Sequence, residues 1–482
     1  MTAEERAAAR VLEVWKESSE RVVALCRDAR GRCFVRKTHR GARAATRARR
    51  EARALRFLAE IGIPAPRLLA LDLGAVESSL DLELLEDHRP LEALLPELAT
   101  ERGAARAGLA LLPAALALVR AARRAGLADP DLHAGNVLAG ADAQLALIDL
   151  HRARLVPRSL ARFGERRALR RFLRFFLPYA TPARIAQTLR GAVSDPERLV
   201  SEAQHSRRSL LRGKDRRAEG GHRAFVREES EDGRWIAKLE LDPALRARAL
   251  RCAAGAEAPD ELLKQRADAR VFALDERWIA KHFLGAPRAA RRRARAAWRA
   301  SLAIAHSRVR ACSAHGLWLG RESALLLLER GPSLDLGRWL HGVPPAVRAQ
   351  LRVARELARA IAILHRDGLR PRDLRAENFL VDADLRTSLV DLDGIAARRR
   401  RAPALRRCAR DIARLRASFP PEAPLAPAAI ELFARTYAAE RGLSPAHLRR
   451  WRSIAAARVE ELWELWRRRG LRFDATGIHE QA

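Results

Sequence analysis

Lysine is nearly missing from this chain of 482 residues. Six lysines (Lys16, Lys37, Lys214, Lys238, Lys264 and Lys281) stand among 92 basic residues, so 86 are arginine; against 59 acidic residues the formal net charge is +33. So lopsided a ratio reflects GC-rich coding and arginine spread over solvated helix faces. It also makes a surface drawn to anions, whether phosphorylated glycolipid, acidic membrane face or nucleic acid. Arginine replaces lysine well on a surface but poorly where a compact point charge must reach a phosphate, so the surviving lysines are candidates for chemistry. Aromatics are only 5%. The cores must therefore lean on Leu, Ala and Val, and the interleaved rings that stack bases are absent, which argues against a specific nucleic-acid partner. The five cysteines (26, 33, 252, 312, 408) form no CxxC pair and no regular spacing, which argues against a disulfide framework or zinc site and suits a reducing compartment. The longest apolar run, Leu109 to Val119, is too short to span a bilayer and contains Pro113. The charged N-terminus lacks a signal-peptide core. A cytoplasmic protein is expected, with any contact to an anionic inner-membrane face peripheral.

What is present is a repeat. Asp131-Leu-His-Ala-Gly-Asn136 is followed by Ile148-Asp149-Leu150, and Asp373-Leu-Arg-Ala-Glu-Asn378 by Val390-Asp391-Leu392. In both copies Asn follows the first Asp at the same short interval, and the last Asp follows Asn at the same longer one. Length and hydrophobic content allow two sizeable cores. Residues 1–203 and 222–482 read as two domains, with 204–221, a mixture of Ser, Gly, Lys and Arg without apolar period, as the linker.

In the first half a short helix is expected over Ala3 to Trp15, then a hairpin (Arg21 to Cys26, Cys33 to Thr38) turning at Asp28 to Gly31. Lys37 lies on its second strand. Helix follows from Arg43 to Ile61, carrying Glu51 and stopped by Gly62-Ile-Pro64. Strands near Arg67 to Leu73 and Leu80 to Leu85 precede a helix over Ala104 to Ala125 and the Asp131 loop.

This order resembles a protein-kinase-like fold: α+β, two tandem domains, each a small β-rich lobe with one helix plus a mainly helical large lobe. The resemblance implies that Lys37 holds nucleotide phosphates, that Glu51 pairs with it, that Asp131 is the catalytic aspartate, and that Asn136 and Asp149 bind Mg²⁺. Phosphoryl transfer needs these types: a carboxylate to orient the acceptor hydroxyl, hard oxygens for magnesium on ATP, and a cation for developing charge. Lys16 to Arg21 stands where a Gly-rich loop would be, and no long activation segment or Ala-Pro-Glu follows Asp149; a eukaryotic-type protein kinase is a poor fit.

Asp-Leu-His-Ala-Gly-Asn with Ile148-Asp-Leu-His-Arg-Ala-Arg154 is similar to the bacterial lipopolysaccharide kinases, which phosphorylate Kdo or heptose of the inner core. The aminoglycoside and choline phosphotransferases share the Asp-x-x-x-x-Asn pattern.

In the second half Arg-Trp-Ile-Ala-Lys occurs twice, ending at Lys238 and Lys281. Lys281 is preferred because a long helix, Pro287 to His306, follows it. Asp373 is the second catalytic aspartate on this reading, and Asn378 and Asp391 are metal-binding, with Asp393 a rival of Asp391. The helix glutamate falls on Ala296 or Ala297, which would leave Lys281 without its partner. Asp411 resembles the large-lobe aspartate that braces the catalytic loop. Trp451, Val459, Leu462, Trp463 and Trp466 fall near one helix face, suited to core packing or to a membrane interface. Arg398 to Arg401 reads as a solvated loop.

The resulting expectation is an ATP- and Mg²⁺-dependent kinase of lipopolysaccharide core sugars, with the first half the surer catalyst and the second either active on its own terms or a degenerate partner. An aminoglycoside- or choline-type small-molecule kinase or a Ser/Thr protein kinase is one alternative; a basic pseudokinase scaffold is another. Composition sets no oligomeric state.

Overall fold

In the computed structural model, the described residues are 8–95, 104–219, 225–332, 334–341, 345–397, 399, 401–469, 471–474 and 477–480. The chain divides into two compact units, Met1–Ser206 and Arg207–Ala482.

The first unit opens on an antiparallel sheet of β1 (Arg10–Ser18), β2 (Arg21–Arg27), β3 (Cys33–Arg40), β4 (Leu68–Leu73) and β5 (Glu77–Glu83), ordered β1-β2-β3-β5-β4. The expected helix over Ala3 to Trp15 is instead strand where it is described, from Arg10; residues 1–7 lie outside the described residues. Val11, Val14 and Trp15 favour a strand, and pairing with β2 satisfies a backbone edge otherwise left open. Between β3 and β4 lies α1 (Ala44–Glu60), whose Ala48, Ala52, Leu55 and Leu58 are buried at helical spacing. It ends as expected: Gly62 adopts φ 69° and the Ile63 N–H donates back to the Leu58 carbonyl at 2.9 Å.

The larger part is helical. α2 (Ala104–Ala125) carries Pro113 inside it, a loss of about 3 kcal/mol for an interior proline. Full burial of Leu109, Leu112, Leu116 and Val119 along one face offsets it at roughly 1.5–3 kcal/mol per side chain. The Asp131 loop leads into three short strands and α3 (Arg158–Leu173), then Pro182–Thr188 and α4 (Pro196–Glu219). The stretch expected to be irregular from residue 204 is thus helical through Glu219, and the division between the units falls inside this helix. Its buried faces include Leu199, Val200 and Ala203, but also Arg207 and Arg208.

The main sheet of the second unit has seven antiparallel strands among the described residues. β6 (Phe225–Ser230) and β7 (Gly233–Lys238) form the first hairpin; β8 (Glu261–Arg266), β9 (Ala269–Ala273), β10 (Trp278–Phe283), β11 (Ala314–Gly320) and β12 (Ala324–Glu329) follow. Their order is β6-β7-β11-β12-β10-β9-β8. Read from β8, the last five repeat the connectivity of the first unit; β6 and β7 extend the sheet. α5 (Pro287–Ser307) takes the place of α1, packing Ala290, Ala294, Ala297 and Trp298 into the main core.

The large lobe is built from α6 (Val347–Arg366), α7 (Leu405–Ala417), α8 (Pro427–Arg441) and α9 (Pro445–Arg468). On α9 all five residues of the Trp stripe are buried, so it is core. Arg399 corrects the solvated-loop expectation, while 398 and 400 lie outside the described residues. It is 3% exposed, pairs with Asp215 at 2.5 Å and donates to the Asp367 carbonyl and Ser307 Oγ. All five cysteines are free thiols. Among the described residues, no helix is long and apolar enough to cross a membrane.

Candidate active site

Each central strand delivers one lysine in one register. Lys37 on β3 lies between Val23 and Leu80, and Lys281 on β10 between Val271 and Leu326. Lys238 is elsewhere, on β7, its Nζ 3.2 Å from His315 Nε2.

In the first unit Lys37 is buried, its Nζ 2.7 Å from Glu51 Oε1 and 2.5 Å from Asp149 Oδ1. Glu51, fully buried on α1, also meets His39 Nε2 at 3.3 Å. Burial opposes its ionisation, but Lys37 and His39 hold it below the ordinary carboxylate range. Asp149 gathers more. His151 Nδ1 lies 2.7 Å away, and Arg21 Nη1 donates to both carboxylate oxygens at 2.7 and 2.8 Å. Here too burial resists ionisation, and the His151 hydrogen bond with the charges of Lys37 and Arg21 overcomes it, leaving Asp149 ionised far below its usual range. Asp131 is more open, its side chain 42% exposed with Arg152 Nη1 at 3.5 Å. Asn136 donates Nδ2 to the Asp131 carbonyl at 3.1 Å, which leaves its amide oxygen as an acceptor.

The second unit repeats part of this. Asn378 Nδ2 donates to the Asp373 carbonyl at 2.9 Å. Asp149 and Asp391 share a left-handed backbone, φ 58° and 56°, which costs an L-residue roughly 1–2 kcal/mol. Lys281 keeps carboxylate partners: Nζ lies 2.5 Å from Asp391 Oδ1 and 3.1 Å from Asp393 Oδ1. Arg293, one turn before the alanines at the expected glutamate position, reaches Asp393 at 3.1 Å. Lys281, expected to lack a partner, thus pairs with Asp393, itself held by Arg293. Asp411 makes its brace through Arg370, with three contacts of 2.8 to 3.1 Å. A cavity of about 320 Å³ runs from Lys264, Lys281, Asn378 and Asp391 to apolar Val271, Ile279, Leu326, Leu328 and Leu380, polar at one end and apolar at the other.

Residues 10–198 and 279–437 each match the lipopolysaccharide kinase (Kdo/WaaP) family, together well over half of the chain. The chain belongs to the lipopolysaccharide kinase (Kdo/WaaP) family. Both family regions contain one Asp/Asn/Asp set, so the tandem arrangement holds. Among solved structures, WaaP in complex with acyl carrier protein is similar at 22% identity over 48% of this chain and 98% of that chain, with a TM-score of 0.38. No curated protein matches the chain.

Two features of this family member escaped the sequence reading. Arg21 is one; nothing in a lone arginine among 86 marks it. The other is a second lysine pair. Lys16 on β1 opposes Val23, and Lys264 on β8 opposes Val271, the valines that flank Lys37 and Lys281. Four of the six lysines therefore occupy two matched positions in two sheets, and their scarcity was the signal that could have found the second pair.

Proposed function

We propose that the chain transfers the γ-phosphoryl group of ATP to a hydroxyl of a lipopolysaccharide inner-core sugar, Kdo or heptose, and that the first unit carries the transfer. The observation supporting this most is the buried Lys37–Glu51–Asp149 cluster beside an accessible Asp131. In this reading Asp131 orients the acceptor hydroxyl and accepts its proton. Lys37, aimed by Glu51, steadies the nucleotide phosphates. The ionised Asp149 and the free amide oxygen of Asn136 are hard donors that fit a magnesium ion. Bound there, Mg²⁺ would neutralise charge on the phosphates. Arg21 then has phosphate oxygens within reach where a Gly-rich loop would offer backbone N–H groups.

The second unit binds nucleotide in its cavity through Lys264 and Lys281, with Asn378 and Asp391 for the metal. Its Asp393–Arg293 arrangement makes it the degenerate partner. The protein works at the cytoplasmic face of the inner membrane, touching it peripherally.

The test is transfer from γ-labelled ATP with magnesium to extracted core lipopolysaccharide, an aminoglycoside and a protein substrate, side by side. Transfer to lipopolysaccharide alone, abolished by Asp131→Asn and retained by Asp373→Asn, is expected. Labelling of the other acceptors but not lipopolysaccharide would reject the acceptor; ATP binding without transfer to any would leave a scaffold.

A further inference from the structure

Beside the catalytic loop of the first unit lies a cavity of about 830 Å³ that the transfer chemistry leaves unexplained. Arg43, the N-cap residue of α1, enters it with Arg47 and Arg50 of that helix, Arg123 from α2, and Arg167 and Arg171 from α3. Arg152 and Arg154, just past Asp149, bring the arginines to eight against two carboxylates, Glu20 and Asp129. Glu20 is already paired with Arg47 at 3.1 Å. So much like charge around one space is unfavourable unless an anion enters; Arg171 is held below its ordinary range by burial first and then by Arg167 and Arg170.

Arg123 shows construction. Its Nη1 is buried with no hydrogen-bond partner among the described residues. Its guanidinium lies over Gly164, inside α3, where an added Cβ would come within 2.1 Å of Nη2. Glycine is unfavourable in a helix interior, and here its missing side chain is what lets Arg123 lie across α3.

We propose that this cavity binds phosphate monoester groups already present on the acceptor, so that an earlier phosphoryl transfer must act on that acceptor first. The proposal rests on the first unit being the transfer centre. Guanidinium forks match phosphate oxygens two at a time, and three helices and the loop after Asp149 supply them around a space far larger than one carboxylate. The walls include Pro130 and Leu132, the neighbours of Asp131, and Arg152 contacts Asp131 itself. An anion seated here holds the rest of its molecule next to the catalytic carboxylate.

Calorimetry on the full chain, its nucleotide sites saturated with a non-hydrolysable ATP analogue and magnesium, tests this. Mannose 6-phosphate should bind at least about tenfold more tightly than mannose. Arg123→Gln with Arg171→Gln should erase that difference while leaving nucleotide affinity unchanged. Gly164→Ala, which displaces Arg123 yet favours the helix, guards against loss of fold and should weaken the sugar phosphate in the same direction. Equal binding of mannose and its phosphate, or variants that bind as wild type, would overturn the site. Inorganic phosphate binding as well as the sugar phosphate would overturn the acceptor assignment and leave a free-anion site. Because this readout needs no turnover, it stands even if lipopolysaccharide is not the acceptor.

Discussion

Asp149 is shared by Lys37, Arg21 and His151, which makes the site a competition for one carboxylate. Asp149→Asn keeps a residue that tolerates the left-handed backbone and should lower the transfer rate on the order of 10²-fold or more by removing charge at the metal position. Lys37→Ala should do similar damage, and Glu51→Gln less, read as separate kcat and KM for ATP. Lys264→Ala should weaken nucleotide binding to the second unit with acceptor KM unchanged. Asp129 carries a pH signature. Burial pushes its carboxyl up to about 6 from 3.8, so the folded state is favoured fully below about pH 4 and loses that contribution as pH rises through 6. Asp129→Asn cannot titrate, so its stability relative to wild type should rise by about 3 kcal/mol over that range, measured by urea unfolding at both ends. A flat difference would show that Asp129 is solvated.

At the scale of elements, what the sequence revealed depended on which side chains were buried. The hairpin of β2 and β3 was legible because Asp28 to Gly31 carries the turn and apolar residues alternate beside it. α1, α2 and α5 were legible from periodic Leu and Ala. β1 was not, because Val11, Val14 and Trp15 are all about half exposed on an edge and give no burial period. β8 and β11 were also passed over, the one exposed along its length and the other buried along its length, so neither alternates. α4 was hidden for a different reason: part of its buried face is arginine. Arg207 pairs with Asp367 at 3.0 Å, both nearly inaccessible. Asp367→Asn should therefore destabilise the second unit by about 3–5 kcal/mol, the cost of stranding a buried charge, seen as a lower unfolding midpoint. The repeated Asp/Asn/Asp spacing was readable in the sequence, and the pairing of Lys37 with Glu51 was expected from the family resemblance; the pairing of Lys281 with Asp393 was not, since the two are far apart in sequence.

For the molecule as a whole, the charge of +33 acts on encounter more than on fold. Acceptor KM should climb steeply as salt rises from about 50 to 200 mM, and KM for ATP, whose phosphates meet partly buried groups, should climb less. Equal slopes would assign the charge to general solubility. α4 also sets the chain's response to cleavage. Arg207, Arg208, Arg212, Lys214, Arg216 and Arg217 would be an open invitation to trypsin in an irregular tract. In a helix their peptide bonds cannot adopt the extended form that a protease grips, so brief digestion should spare residues 204–219, and an expression boundary drawn there would cut through ordered structure.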